Sequence, residues 1–166
     1  MKLVSENDPI LKQVCQDYDF ENPPLDNTEQ FAVDLYNTMV KSDGLGLSAC
    51  QVGYPYRVFA MRTNEQNPLV LFNPRLVDVS ENLVSMKEGC LSFPLLYLNV
   101  KRPDRVRIRY QEFNGLTTTN TFIGMSARVA LHEYDHLEGK VFTQAASSFE
   151  TQRAMRKRMI LKRRVK

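Results

Sequence analysis

Both histidines of the chain, His132 and His136, fall in one run, Leu131-His132-Glu133-Tyr134-Asp135-His136, four residues apart and with a glutamate directly after the first. On a helix that spacing turns both imidazoles to one face, where they can grip a metal and leave Glu133 beside its open side. Two neutral imidazoles hold a divalent cation, the cation lowers the pKa of bound water, and the carboxylate shuttles the proton. The run therefore points to metal-assisted hydrolysis. Its competing reading is an amphipathic helix that happens to carry polar residues, and the lack of histidine anywhere else speaks against that.

A site with open chemistry wants a third protein ligand. Downstream of His136 the chain offers no Asp, no further His, and only Glu138 and Glu150. Glu138 lies two positions on and points away from the His face, while Glu150 opens a strongly basic segment. Upstream, Lys87-Glu88-Gly89-Cys90-Leu91-Ser92-Phe93-Pro94 places a cysteine after a flexible glycine and ahead of a strand-like stretch. A thiolate there completes a Cys-His-His set. Cys15 and Cys50 read instead as small buried hydrophobes.

Three segments, Gly44-Leu45-Gly46-Leu47-Ser48-Ala49-Cys50-Gln51, Glu88-Gly89-Cys90-Leu91-Ser92 and His132-Glu133-Tyr134-Asp135-His136, resemble the three motifs of the peptide deformylases, in the family's order. Asn73-Pro74, Lys101-Arg102-Pro103 and the stretch from Leu137 to Phe142 fit the same family. The resemblance implies that Cys90, His132 and His136 hold one divalent metal ion and leave a fourth position open. It also implies that Glu133 is the general base and acid, and that Gln51 and the Leu91 N–H stabilise the oxyanion. Leu45, Gly46, Gly89 and Cys90 become substrate contacts, and Arg102 pairs with Glu88 behind the cysteine loop. The implied reaction removes the formyl group from N-formylmethionyl peptides. Fe²⁺ is the metal expected in the cell, with Zn²⁺ or Ni²⁺ accepted by the same ligands.

Two positions depart from the usual family pattern: Cys50 stands where proline is common, and Leu131 where glutamine is common. Neither removes a ligand or the base. Cys50, if exposed, is a second thiol near the cleft; buried, it is inert. Tyr97, in the stretch Leu95-Leu96-Tyr97-Leu98, is read as packing, with the cleft rim as its alternative.

A chain of 166 residues suits one domain that buries about 70% of its unfolded surface. Three cysteines, no apolar leader and no apolar run of about 20 residues lead us to expect a cytoplasmic protein without membrane spans, working as a monomer. The spacing predicts a helix capped at Asn27, carrying Phe31, Leu35, Tyr36 and Met39, and stopping near Ser42-Asp43-Gly44. Strands are predicted at 57–61, 69–72, 75–79, 105–110 and 117–122, with Asn73-Pro74 between two of them and Ser126 capping the histidine helix. The fold class is α+β, with short, mainly antiparallel strands in small sheets around the central helix that carries the histidines.

Residues 1–148 are expected to form the catalytic domain and 149–166 a basic, helical extension. From Glu150 to Lys166 the charge is +7 against a net +3 for the whole chain, so the remainder carries −4. Met155, Met159, Ile160, Leu161 and Val165 scatter around such a helix, which reads as solvated or frayed. The sharper alternative is docking on ribosomal RNA, which the resemblance also suggests. Two rival classes are a zincin-type metallopeptidase, which would take its third ligand downstream and not need Cys90, and a basic RNA-binding protein with a structural metal, which would need neither Glu133 nor an open position.

Overall fold

The structure is a computed structural model that describes residues 1–63 and 68–164. Helix α1 (Thr28–Lys41) begins as expected, with the Asn27 side chain accepting the Gln30 N–H at 2.8 Å. It ends at Ser42, and the following Asp43 takes a φ of 54°. Strands β1 (Gly46–Ser48), β2 (Val58–Arg62), β3 (Pro68–Val79), β6 (Arg105–Gln111) and β7 (Thr117–Ile123) form one antiparallel sheet in the order β1-β2-β3-β6-β7. Strands β4 (Leu83–Cys90) and β5 (Phe93–Pro103) pair as a separate antiparallel hairpin.

The large sheet is covered on both faces. In β2, Phe59 and Met61 join the core beneath helix α2 (Met125–Leu137), while Val58 and Ala60 join the core beneath α1. A strand buried on both sides carries an unbroken apolar run rather than alternation, as Val58 to Met61 do. Helix α2 thus lies against the large sheet and also touches β5 of the hairpin. This is the α+β arrangement expected around the histidine helix.

Several local readings are corrected. The strands predicted at 69–72 and 75–79 are one, β3, with its register interrupted between Phe72 and Arg75. Asn73 sits at that interruption with a φ of 48°, and its amide bonds both the N–H and the carbonyl of Tyr18. Helix α2 has no side-chain cap: Gly124, at φ 61°, precedes it and Ser126 lies within the first turn. The basic segment forms helix α3 (Ser148–Arg164), which is docked rather than frayed. Ala154 and Met155 pack with Leu96, Leu98, Val100 and Phe142. Arg158 is buried, donating from Nε to the Pro94 carbonyl at 2.8 Å and from Nη2 to Glu6. Val165 lies outside the described residues. No described helix is long and apolar enough to cross a membrane.

Candidate metal centre and cleft

Helix α2 presents Arg128, His132 and His136 one turn apart on a single buried face, as the 3.6-residue period requires. The two imidazole rings stand 5.2 Å apart, centroid to centroid, and cross at 74°. Cys90 reaches them from the end of β4. The hairpin register slips between Gly89 and Cys90, and such a bulge re-aims the side chain that follows it. Cys90 Sγ lies 3.3 Å from His136 Nε2, and the donor atoms of Cys90, His132 and His136 all fall within 4.8 Å of one another.

Behind this triangle sits Glu88. It accepts from Arg102 Nε at 2.7 Å and Nη2 at 3.1 Å, from Arg128 Nη1 at 2.8 Å, and lies 2.9 Å from His132 Nδ1. Arg102 in turn reaches Asp135 at 2.6 Å. Burial alone would raise the Glu88 carboxyl, but hydrogen bonds from His132 and Arg102 hold it down to about 2. An ionised carboxylate only accepts, so Nδ1 of His132 carries the proton and Nε2 is left free to bind a metal. Arg102 is therefore no solvated surface charge.

The donor set suits a cation. Burial disfavours charge on the His132 imidazole, yet hydrogen bonds to Cys90 and Glu88 and the charge of Glu133 push it up to about 10. The surroundings thus favour positive charge at that ring, a demand that a metal ion at Nε2 meets as well as a proton does. His136 is held well below its usual range, first by burial and then by the charge of His132, so it stays a neutral imidazole with a lone pair to give. Its Nδ1 is buried without a hydrogen-bond partner among the described residues.

Glu133 is buried beside the triangle, and burial raises its carboxyl despite a 2.8 Å hydrogen bond from Ser48 Oγ. A Cβ on Gly46 would stand 2.5 Å from Glu133 Oε1, so glycine is what lets the β1 backbone approach that carboxylate. Gln51 is buried too. Its Oε1 accepts the Ser48 N–H at 2.8 Å, while Nε2 donates to Ser92 Oγ at 3.1 Å and points to Cys90 Sγ at 3.4 Å. A cleft of about 560 Å³ opens over these groups, with Leu45, Gly46, Gly89, Leu91, His132 and Glu133 in its walls. His136 is buried and is not among the residues that line the cleft.

Tyr97 is on the rim rather than packed: it is exposed, lies against Gly89, and carries the Lys87 ammonium 5.0 Å from its ring centroid. Cys50 is fully buried, and its Sγ donates to the His136 carbonyl at 3.7 Å. Hydrogen bonding with Cys15 and burial hold the Cys50 thiol above its ordinary range, so it is inert. Leu131 belongs to the core. Glu138 pairs with Arg57 at 2.7 Å and Glu150 bonds Asn99 at 3.0 Å, so neither supplies the third ligand a zincin would need. Ser48, Ser92 and Arg128 are partners that motif reading missed; Arg128 was accessible as the residue one turn before His132 on the histidine face.

An H-E-x-x-H helix closed by a thiol donor, with a buried acid in an open cleft, defines the class of mononuclear metal-dependent hydrolases. The model of the polypeptide deformylase family matches residues 1–152, and the chain belongs to that family. It is 39% identical over 160 residues to a peptide deformylase of Maricaulis maris, covering 94% of this chain and 90% of the relative. A second relative, from Pseudothermotoga lettingae, is 35% identical over 92% of this chain and 86% of its own length. Among solved structures, Arabidopsis thaliana peptide deformylase 1B with an inhibitor superposes with a TM-score of 0.86 at 31% identity, over 99% of this chain and 92% of that one. The Synechococcus elongatus enzyme in complex with actinonin gives 0.83 at 31%, over 95% and 85%.

Proposed function

We propose that this chain hydrolyses the formyl group from the N-terminal formylmethionine of nascent polypeptides and releases formate. The observation that carries this reading is the buried Glu133 carboxyl, raised in basicity, in a cleft wall beside three converging donors. Cys90, His132 and His136 would hold one metal ion, Fe²⁺ in the cell, with Zn²⁺ or Ni²⁺ accommodated by the same donors. When bound, the ion supplies Lewis acidity to the formyl carbonyl and to water. Glu133 takes the proton of the attacking water and returns it to the leaving amine. The Gln51 amide and the Leu91 N–H donate to the developing oxyanion. Leu45, Gly46 and Gly89 flank the peptide backbone, and Glu88 with Arg102 keeps His132 in the metal-binding tautomer.

Residues 1–148 form the catalytic unit in this reading, and 149–166 an extension whose exposed lysines and arginines suit ribosomal RNA. The enzyme works in the cytoplasm as a monomer. The decisive experiment compares wild type and Glu133→Ala, loaded anaerobically with Fe²⁺, on formyl-Met-Ala-Ser with bound metal quantified. Removal of a general base typically costs about 10²–10⁴ in rate. Turnover should fall by that factor at unchanged metal content, and a fully active variant sinks the mechanism. For the extension, deletion of 150–166 should abolish co-sedimentation with ribosomes at low salt; unchanged co-sedimentation refutes that role.

A further inference from the structure

The three donor atoms come from two separately framed bodies. His132 and His136 ride on α2, which packs on the five-stranded sheet, whereas Cys90 ends β4 in the hairpin. Among the described residues no strand pairing joins the two sheets. A ligand triangle needs placement to within about 0.5 Å, so its accuracy depends on whatever links helix to hairpin.

Beside the Arg102–Asp135 ion pair and the contact of Glu88 with His132, Arg128 makes the most branched of these links. From α2 its Nη1 donates to Glu88 Oε1 at 2.8 Å and to the Val100 carbonyl at 2.8 Å, and its Nη2 donates to the Val84 carbonyl. One guanidinium therefore holds β4 at two places and β5 at a third. Satisfying the Glu88 carboxylate does not by itself explain the presence of Arg128. Glu88 already receives two hydrogen bonds from Arg102, and a second buried guanidinium costs further desolvation. The Arg128 Nε, buried without a hydrogen-bond partner among the described residues, adds to that cost. What the second arginine adds to the Arg102–Asp135 contact is a grip from α2 on the backbone of both hairpin strands, and a planar fork is the side chain suited to gripping several fixed acceptors at once.

We propose that Arg128 is a positioning residue of the metal centre, pinning hairpin β4–β5 to α2 and fixing Glu88 against His132 so that Cys90 converges with the two histidines. This rests on the reading of Cys90, His132 and His136 as the metal ligands. The test uses full-length wild type, Arg128→Lys and Arg128→Met, each stripped by a chelator and titrated with Co²⁺. Thiolate-to-cobalt charge-transfer absorption reports coordination by Cys90, and thermal melts by circular dichroism report folding.

Loss of an outer-shell partner typically costs about 10–100-fold in metal affinity. Arg128→Lys should lie near the lower figure and Arg128→Met near the upper, both with a changed charge-transfer band. Wild-type affinity and band in a folded Arg128→Lys overturn the proposal, as does a lowered melting temperature with affinity intact. If Arg128→Met does not fold, Arg128→Lys against wild type decides alone. A wild-type protein that shows no cobalt–thiolate band refutes the ligand reading itself, an outcome distinct from equal binding by all three proteins.

Discussion

Glu88 and Glu6 are each held by arginine, yet the two carboxylates do different work. Glu88 is buried among Arg102, Arg128 and His132. Glu6 stays partly in water while it receives Arg158 and, at 3.6 Å, Lys162 from α3. At the first site every charge lacks water and depends on its partners, so removing one strands the others. At the second, Arg158 is buried but Glu6 and Lys162 stay partly in solvent, which takes over the carboxylate when the pair breaks. The buried cluster can therefore define a geometry, whereas the edge pair can only help hold an accessory helix in place.

Glu88→Ala tests the stronger side of this contrast. It leaves the buried Arg128 without a carboxylate and Arg102 with Asp135 alone, and breaking a buried pair in this way costs about 3–5 kcal/mol. Urea denaturation should show a loss of that size, and a loss below about 1 kcal/mol would place the cluster in the edge-pair regime. Gln51→Ala probes a buried polar group that carries no charge. Loss of one oxyanion donor costs about 10²–10³ in kcat, which should appear at unchanged metal content; a change confined to KM would assign Gln51 to substrate binding alone.

Smaller effects belong to the edge. Arg158→Ala removes one hydrogen bond to the Pro94 carbonyl and the ion pair with Glu6, together worth about 1–2 kcal/mol. Limited proteolysis should then cut α3 while formate release persists, and simultaneous loss of activity would mean that α3 supports the cleft. The pH dependence of that docking has a definite sign. The Arg158 hydrogen bond holds the Glu6 carboxyl below its ordinary 4.5, so the contact contributes fully above that value and fades as pH falls beneath it. Protection of α3 from hydrogen exchange should decline below about pH 4.5 in wild type but not in Glu6→Gln; parallel curves would break the assignment.

Helix α2 and its two histidine donors were legible from spacing because a helix fixes which residues share a face, whereas Cys90 entered through the thin choice of other ligands and the family resemblance. Hairpin β4–β5 was not. Along β5 the inward positions Leu96, Leu98, Val100 and Arg102 alternate with outward ones, but Leu95 and Tyr97 are outward, and an arginine takes an inward place. Apolar residues on both faces erase the period-two signal. The docking stripe of α3 was hidden for a related reason, since its deepest side chain, Arg158, reads as a surface charge until the Pro94 carbonyl and Glu6 are seen beside it.

By itself the sequence determined the chemistry on offer: two imidazoles on one helical face, a carboxylate beside them, a thiol after a glycine, and the family those motifs mark. Such information is local, carried by residue type and spacing. Tertiary structure alone decided how the thiol meets the imidazoles, which carboxylate orients His132, and that Arg128 spans helix and hairpin. Those facts depend on pairings between residues tens of positions apart, and burial turns each of them into a geometric constraint because no water is available to replace a missing partner.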